Sequence, residues 1–210
     1  GQAMNNIGDA ENVLNIAEGG LQSLQSLLNE MNEKVLQAAN DTQGANERTS
    51  IFTQLQQLGE EIDSVARQTQ FNNVTLLTVN TMTFQSGPDG ADFTVFSVAS
   101  AFTSAALAVN SLTVANQTLA STSLGSVTAA INSVNTVLQQ VGAALQRMRV
   151  KGDNLAIGRL NVIAATSRIM DADLAAEQLE SAKLQILQQT ATAMLAAANT
   201  GPASILTLFQ

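Results

Sequence analysis

From Ile7 to Ala38 the apolar residues recur at spacings that alternate three and four without a slip: Ile7, Ala10, Leu14, Ala17, Leu21, Leu24, Leu28, Met31, Val35 and Ala38. This is a heptad seam, and it predicts a long helix packed lengthwise on other helices. At 1.5 Å per residue the stretch spans roughly 48 Å. The turn formers of "NDTQGAN" (Asn40 to Asn46) break it. A second seam follows at Ile51, Leu55, Leu58, Ile62 and Val65, and the short connection predicts an antiparallel return.

After Phe71 the pattern changes. "VTLLTVNTMTFQSGPDGADFTVFSV" is rich in β-branched and aromatic residues, and Pro88-Asp89-Gly90 supplies turn chemistry, so a β-hairpin is expected over about 81–98. A third seam runs through Val127, Ile131, Val134, Leu138, Val141, Leu145, Met148, Gly152, Leu155, Arg159, Val162, Thr166 and Ile169. Gly152, Arg159 and Thr166 are poor core residues, so packing should loosen towards its end. Asp171 and Asp173 suit the first turn of a last helix. That helix carries the stripe Leu184, Leu187, Ala191, Met194, Leu195 and Ala198, and Gly201-Pro202 is expected to stop it. The expected fold is mostly α: a long antiparallel helical bundle or coiled-coil rod with a β-hairpin, followed by a C-terminal amphipathic helix. Its helices are placed at about 3–40, 47–70 and 124–168.

Composition narrows the chemistry. The 210 residues contain no Cys, His, Trp or Tyr and carry a net charge of −8. The commonest general base, metal ligand and strong nucleophile are therefore missing. No carboxylate pair or Ser/Lys constellation stands out, so no catalytic residue, metal site or cofactor is assigned and an enzyme is not expected. Asp171 and Asp173 lack the third ligand that a cation would need, and helix capping is the better reading. Glu60, Glu61 and Asp63 read as a solvated helix face. The acidic balance argues against nucleic acid or an anionic membrane surface as partner, and no apolar run approaches the ~20 residues of a membrane span. Asn73-Val74-Thr75 and Asn116-Gln117-Thr118 fit the N-glycosylation pattern, which is common by chance.

After Lys183 the chain has no charge. An uncharged apolar stripe loses little charge solvation on burial, but alone it cannot offset its ordering entropy, so it is expected to fold against a partner.

Several segments resemble bacterial flagellin. "NIAEGGLQSLQSLLNEMNEKVLQAAND" is similar to the first core helix of that family, and "EEIDSVARQTQFNNVTLL" to its "EID…TQFNG..LL" pattern. "FQSGPDGAD" resembles the family's hairpin, and "TSRIMDADLAAE" with "ILQQTATAMLAAAN…P.SILTL" its C-terminal signature. The motifs occur in family order along nearly the whole chain. The resemblance implies a core rod domain at 1–168 and a C-terminal inner-tube segment at 169–210. It also implies that an N-terminal segment, the first ~70 to 80 residues of a flagellin by helix-scale bookkeeping, and the variable outer domains lie outside this sequence. On that reading the chain is a short flagellin or a mature fragment, and it is not expected to polymerise by itself.

The function so implied is that of a structural subunit of the bacterial flagellar filament, secreted through type III export into an extracellular filament, with other flagellin subunits as partners. Before assembly, a flagellar export chaperone is expected on residues 171–209 in the cytoplasm, holding an unfolded chain through Leu179, Leu184, Ile186, Leu187, Met194, Leu195, Ile205, Leu206 and Leu208. The alternatives are the related hook-filament junction protein and a helical adaptor module. O-glycosylation in this family would fall in the stretch from Ser97 to Ser123. Flagellins that activate the Toll-like flagellin receptor carry an Arg and, four residues on, a Leu on the first core helix, with a Glu on the second. The matching positions here are Glu30, Lys34 and Gln54, and all three depart, although Gln37 fits. Weak or no receptor activation is expected.

Overall fold

The computed structural model describes residues 1–87, 89–98 and 101–206, with the side chains of Asn80 and of 199–206 left aside. The chain forms helices α1 (Gln2–Ala38), α2 (Ala45–Gln68) and α3 (Gln117–Leu206). Between α2 and α3 lie the short strands β1 (Gln70–Phe71) and β2 (Val74–Thr75) and the hairpin of β3 (Asn80–Gln85) and β4 (Phe93–Val98). It divides into two compact units, Gly1–Ala156 and Ile157–Gln210.

In the first unit all ten members of the α1 seam are buried, and Val13 joins them. α1 runs antiparallel to both neighbours. Gln25 donates to Asn135 at 2.6 Å, while Ile7 lies 3.7 Å from where a Cβ on Gly152 would sit, so the residue number falls along α1 as it rises along α3. On the α2 side, Arg48 reaches back to donate to the carbonyls of Ala38 (3.0 Å) and Asn40 (3.1 Å). The last turn of α1 contains no basic residue of its own, so Arg48 of the next helix satisfies carbonyls that the helix end leaves open. The α2 core is slipped from its expected seam. Gly59 and Ala66 are buried beside Ile51, Leu55 and Ile62, and Leu58 and Val65 are only partly buried.

Gly20 shows how close the packing is. A Cβ there would lie 2.5 Å from Thr69 Oγ1 and 2.7 Å from its Cγ2. Thr69 is buried, and its hydroxyl donates to the Val65 carbonyl, so it has little freedom to yield. Gly19, one position earlier, meets nothing within 4 Å. Gly19→Ala should therefore stabilise by roughly 0.5–1 kcal/mol through helix propensity. Gly20→Ala should lose about 1–3 kcal/mol to overpacking despite the same propensity gain. Thermal melting of the two variants checks this, and equal shifts of the same sign would refute the close approach.

Two hairpins follow α2. Asn72 and Asn73 have φ of 48° and 63° and join β1 to β2 with Phe71 opposite Val74. Two consecutive left-handed residues are what a tight two-residue turn requires, and Asn adopts that region more readily than most. β3 pairs antiparallel with β4, from Asn80 opposite Val98 to Gln85 opposite Phe93, and β4 alternates exposed and buried residues with Thr94, Phe96 and Val98 inward. Of the expected turn Pro88-Asp89-Gly90, Pro88 lies outside the described residues, and Asp92 donates its N–H to the Asp89 carbonyl at 2.9 Å.

The uncharged segment from 101 to 116 is an ordered strap that buries Phe102, Leu107, Val109, Leu112 and Val114. Two anchors fix it. The Asp63 carboxylate accepts the Ser104 N–H (2.7 Å) and hydroxyl (2.9 Å). At the other end Ser123 accepts the Thr113 N–H and donates to the Thr113 carbonyl. Asp63 is thus a half-buried anchor, correcting the solvated reading; Glu60 and Glu61 are exposed. Its signal was hidden because the partner lies 41 residues away.

α3 begins at Gln117, earlier than the seam implied, because Asn116 caps it: its side-chain oxygen accepts the Leu119 N–H at 2.9 Å. Three further expectations about this helix are corrected. Asp171 and Asp173 do not open a new helix but lie inside α3. The chain around them is rich in alanine and has no Gly or Pro between Gly158 and Gly201, so two aspartates cost well under about 1 kcal/mol each. Asp171 instead accepts a hydrogen bond from Ser167 at 3.2 Å. Gly201-Pro202 does not end the helix, which continues to Leu206. Proline gives up the hydrogen bond to the carbonyl four residues back and its ring crowds that carbonyl, a cost of about 3 kcal/mol, yet the helix carries on for one more turn. Leu138, expected in the core, is only partly buried and shares an open groove with Gln25, Asn132 and Asn135.

Candidate functional site

The second unit begins at residue 157 of α3. Every residue from Ile157 to Ala198 is exposed. Thirteen of them are large and apolar: Ile157, Leu160, Val162, Ile163, Ile169, Met170, Leu174, Leu179, Leu184, Ile186, Leu187, Met194 and Leu195, each 52% exposed or more. A single monomeric surface rarely carries so much contiguous apolar area without a partner.

The arrangement along the helix is specific. Leu184, Leu187, Ala191, Met194 and Ala198 are separated by threes and fours and share one face with Leu195, four residues after Ala191, while Leu179 and Ile186, seven apart, flank it. From Ile157 to Leu174 the large apolar residues are spread around the circumference, a pattern suited to contact from several sides. Ile205 and Leu206 lie in α3 but their side chains are not described, and Leu208 lies outside the described residues. Charge is sparse. Lys183 and Glu180, 3.4 Å apart, form the only ion pair among the described residues, and at this exposure it contributes little.

In the first unit the receptor-patch positions come together in part. Lys34 and Gln54 line one groove between α1 and α2 with Gln37, Ser50 and Ile51. Glu30 is exposed one turn earlier on α1.

Among the described residues, one side-chain cluster that no local sequence pattern reveals resembles catalytic chemistry. Lys151 Nζ donates to Ser86 Oγ at 2.7 Å and to Thr94 Oγ1 at 3.0 Å, and the two hydroxyls are 3.3 Å apart. A Ser/Lys pair can form a nucleophile and its base, but both hydroxyl residues are buried, Ser86 at 4% exposure and Thr94 at 6%, so no substrate reaches them. The cluster is a clamp: a lysine on α3 holds Thr94 of β4 and Ser86, the residue after β3, and Asn6 on α1 holds the same hairpin through the Gln85 carbonyl. No group of metal-ligating side chains is found among the described residues, and no described helix is long and apolar enough to cross a membrane.

The clamped helical unit and the exposed helix have counterparts among known proteins. Residues 1–81 match the bacterial flagellin N-terminal helical region, and residues 124–209 match the bacterial flagellin C-terminal helical region. A flagellin of Halalkalibacterium halodurans is 32% identical over all of this chain and 78% of its own length. A flagellin of Bacillus subtilis is 32% identical over 99% of this chain and 80% of its own length. Flagellin FlaB1 of Treponema pallidum is 31% identical over the whole chain and 79% of its own length. The crystal structure of Bacillus cereus flagellin superposes with a TM-score of 0.64 at 25% identity, covering 72% of this chain and 88% of that one. With both helical regions in family order, and identity above 30% sustained over the full chain, this protein belongs to the bacterial flagellin family.

Proposed function

We propose that Ile157–Gln210 is the surface through which this flagellin, a structural subunit of the bacterial flagellar filament, packs against other flagellin subunits. The observation that carries the reading is the uninterrupted exposure of α3 from Ile157 to Ala198, with thirteen large apolar side chains among the exposed residues. At about 25 cal/mol per Å² of apolar area removed from water, covering such a face gives a strong drive to associate. Light scattering of the full chain with flagellin filament seeds tests the reading: the seeds should elongate, and a flat signal would sink it.

The same segment has a second occupant before assembly. An export chaperone holds residues 171–209 while the chain waits for secretion, using Leu179, Leu184, Ile186, Leu187, Met194, Leu195, Ile205, Leu206 and Leu208 as helical anchors. Cutting the chain after Ala172 should remove chaperone binding and leave the first unit folded. Equal affinity of the truncated chain would place the chaperone elsewhere.

At the receptor patch the reading is evasion. Glu30 and Lys34 set an acid and an ammonium where activating flagellins have an Arg and an apolar anchor, and Gln54 removes a carboxylate. A receptor surface shaped for the activating pattern loses charge-assisted hydrogen bonds at each position. A receptor reporter assay should give little signal for this chain and a gain for Glu30→Arg/Lys34→Leu/Gln54→Glu. Strong signalling by the unaltered chain would refute it.

A further inference from the structure

We propose that neighbouring copies of this chain meet side by side in the first unit through opposite charge on two different helices: Arg147 and Arg149 on α3 of one copy against Glu60 and Glu61 on α2 of the next. The proposal rests on the filament reading for its repeat of copies, but its attraction comes from charge that the fold sorts by element.

Residues 1–68 hold ten carboxylates and three cations. Residues 93–146 hold no charge, and Arg147, Arg149 and Lys151 then follow within five positions. Three charged groups are already committed inside the molecule: Arg48 to the end of α1, Asp63 to the strap and Lys151 to the hairpin clamp. Of the carboxylates on α1 and α2, Glu18 accepts from Gln22 and Glu30 lies one turn from Lys34. Glu60 and Glu61 stand together, exposed, with no ion pair among the described residues. Arg147 and Arg149 are likewise exposed and make no ion pair there, although Asp153 lies one turn beyond Arg149.

The helical faces fit such a contact. The inward side of α3 here is Val141, Ala144, Leu145 and Met148. The opposite strip is Gln139, Ala143, Gln146 and Val150, all exposed, and on the Arg147 flank Ala143 and Arg147 line a shallow groove with Val95, Phe96 and Ser97 of β4. Arg147 and Arg149, about 200° apart on the wheel, bracket that strip from both flanks. The outer strip of α2 is Thr53, Gln57, Glu60 and Ser64, so short or neutral residues let the two helices approach while the long arginine stems reach the carboxylates. The two patches cannot satisfy each other within one copy. By the antiparallel registers of α1 with α2 and α3, they lie about 20 Å apart along the helix direction. Copies joined this way are staggered by about that distance. Because the two surfaces differ, the contact is head-to-tail and does not close into a dimer.

The absence of cysteine makes the test direct. In the full chain, Gln57→Cys/Gln146→Cys places one thiol beside each patch and leaves all four charges in place. With a short bismaleimide at low salt it should give a ladder of dimers, trimers and higher species. About 1 M salt, where screening reaches ~3 Å, should shorten the ladder, and each single-cysteine variant should stop at dimers. Adding Arg147→Glu/Arg149→Glu should cut the ladder at least tenfold, and further adding Glu60→Arg/Glu61→Arg should restore it. A control with equal net charge, Gln117→Glu/Thr118→Glu/Ser121→Glu/Thr122→Glu at the distant start of α3, should keep the ladder. No ladder in the parent double-cysteine chain, a ladder that survives charge reversal, or one lost equally in the control overturns the proposal. Seed elongation with no ladder would overturn this contact and leave the filament reading standing; a charge-dependent ladder without elongation would do the reverse.

Discussion

Leu28→Asp is expected to unfold the first unit. Leu28 has no exposed surface and lies in the middle of the α1 seam, among the residues that the whole unit packs around. The change removes a buried side chain, at about 2–5 kcal/mol, and leaves a carboxylate with no cation in the surrounding core, at several kcal/mol more. A domain of this size has about 5–15 kcal/mol in total, so the loss approaches all of it. Leu138→Asp is the informative contrast. The two leucines are equivalent in the hydrophobic pattern, but Leu138 opens onto a groove beside Gln25, Asn132 and Asn135. A carboxylate there keeps contact with water and gains amide donors, so a loss of only about 1–2 kcal/mol is expected. Melting followed by circular dichroism separates them. Similar melting curves for the two variants would contradict the burial pattern.

That contrast marks what the sequence could and could not say. A heptad seam reports the period of a helix reliably because each step of three or four returns to the same face, and the α1 seam is buried throughout. It does not report how deep each member sits. In α2 the large residues Leu58 and Val65 carry the apolar period, while Gly59 and Ala66 are buried beside the other seam members, and the strap's Ser104 Cβ lies 3.9 Å from where a Cβ on Gly59 would sit. The strap from 101 to 116 read as an uncharged Ser/Thr/Ala stretch because its buried residues follow no single period. The β1–β2 turn uses Asn72-Asn73 where Asn-Gly would have been a plainer signal, and strands of two residues leave no alternation to see.

The polar anchors were harder still. Lys151 meets Ser86 across 65 positions and Asp63 meets Ser104 across 41, so nothing local distinguishes them from surface charges. The exposed stripe of α3 was legible in the other direction. Its spacing and its lack of charge after Lys183 are local properties, and the residues Leu179, Leu184, Ile186, Leu187, Met194 and Leu195 are all exposed.

Leu184→Asp/Leu187→Asp/Met194→Asp is expected to stop incorporation into filaments while leaving the melting of the free chain unchanged. In the free chain these side chains are 57%, 55% and 70% exposed, so a carboxylate at each keeps its water and costs only the small helix-propensity difference between Asp and Leu or Met. Against a neighbouring subunit the same positions lose that water. They lie on one face, and the segment offers no cation after Lys183 to pair with. At even ~2 kcal/mol for each desolvated, unpaired group, three add to about 6 kcal/mol, or roughly four orders of magnitude in the association constant. Glutamine at the same three positions removes the apolar contact without the charge and should fall between the parent and the triple aspartate. Seed elongation measured by light scattering gives the ranking, and melting curves serve as the control. Parent-like elongation by the triple aspartate would move the assembly surface away from this face, and a lowered melting temperature would show that the face is already covered in the free chain.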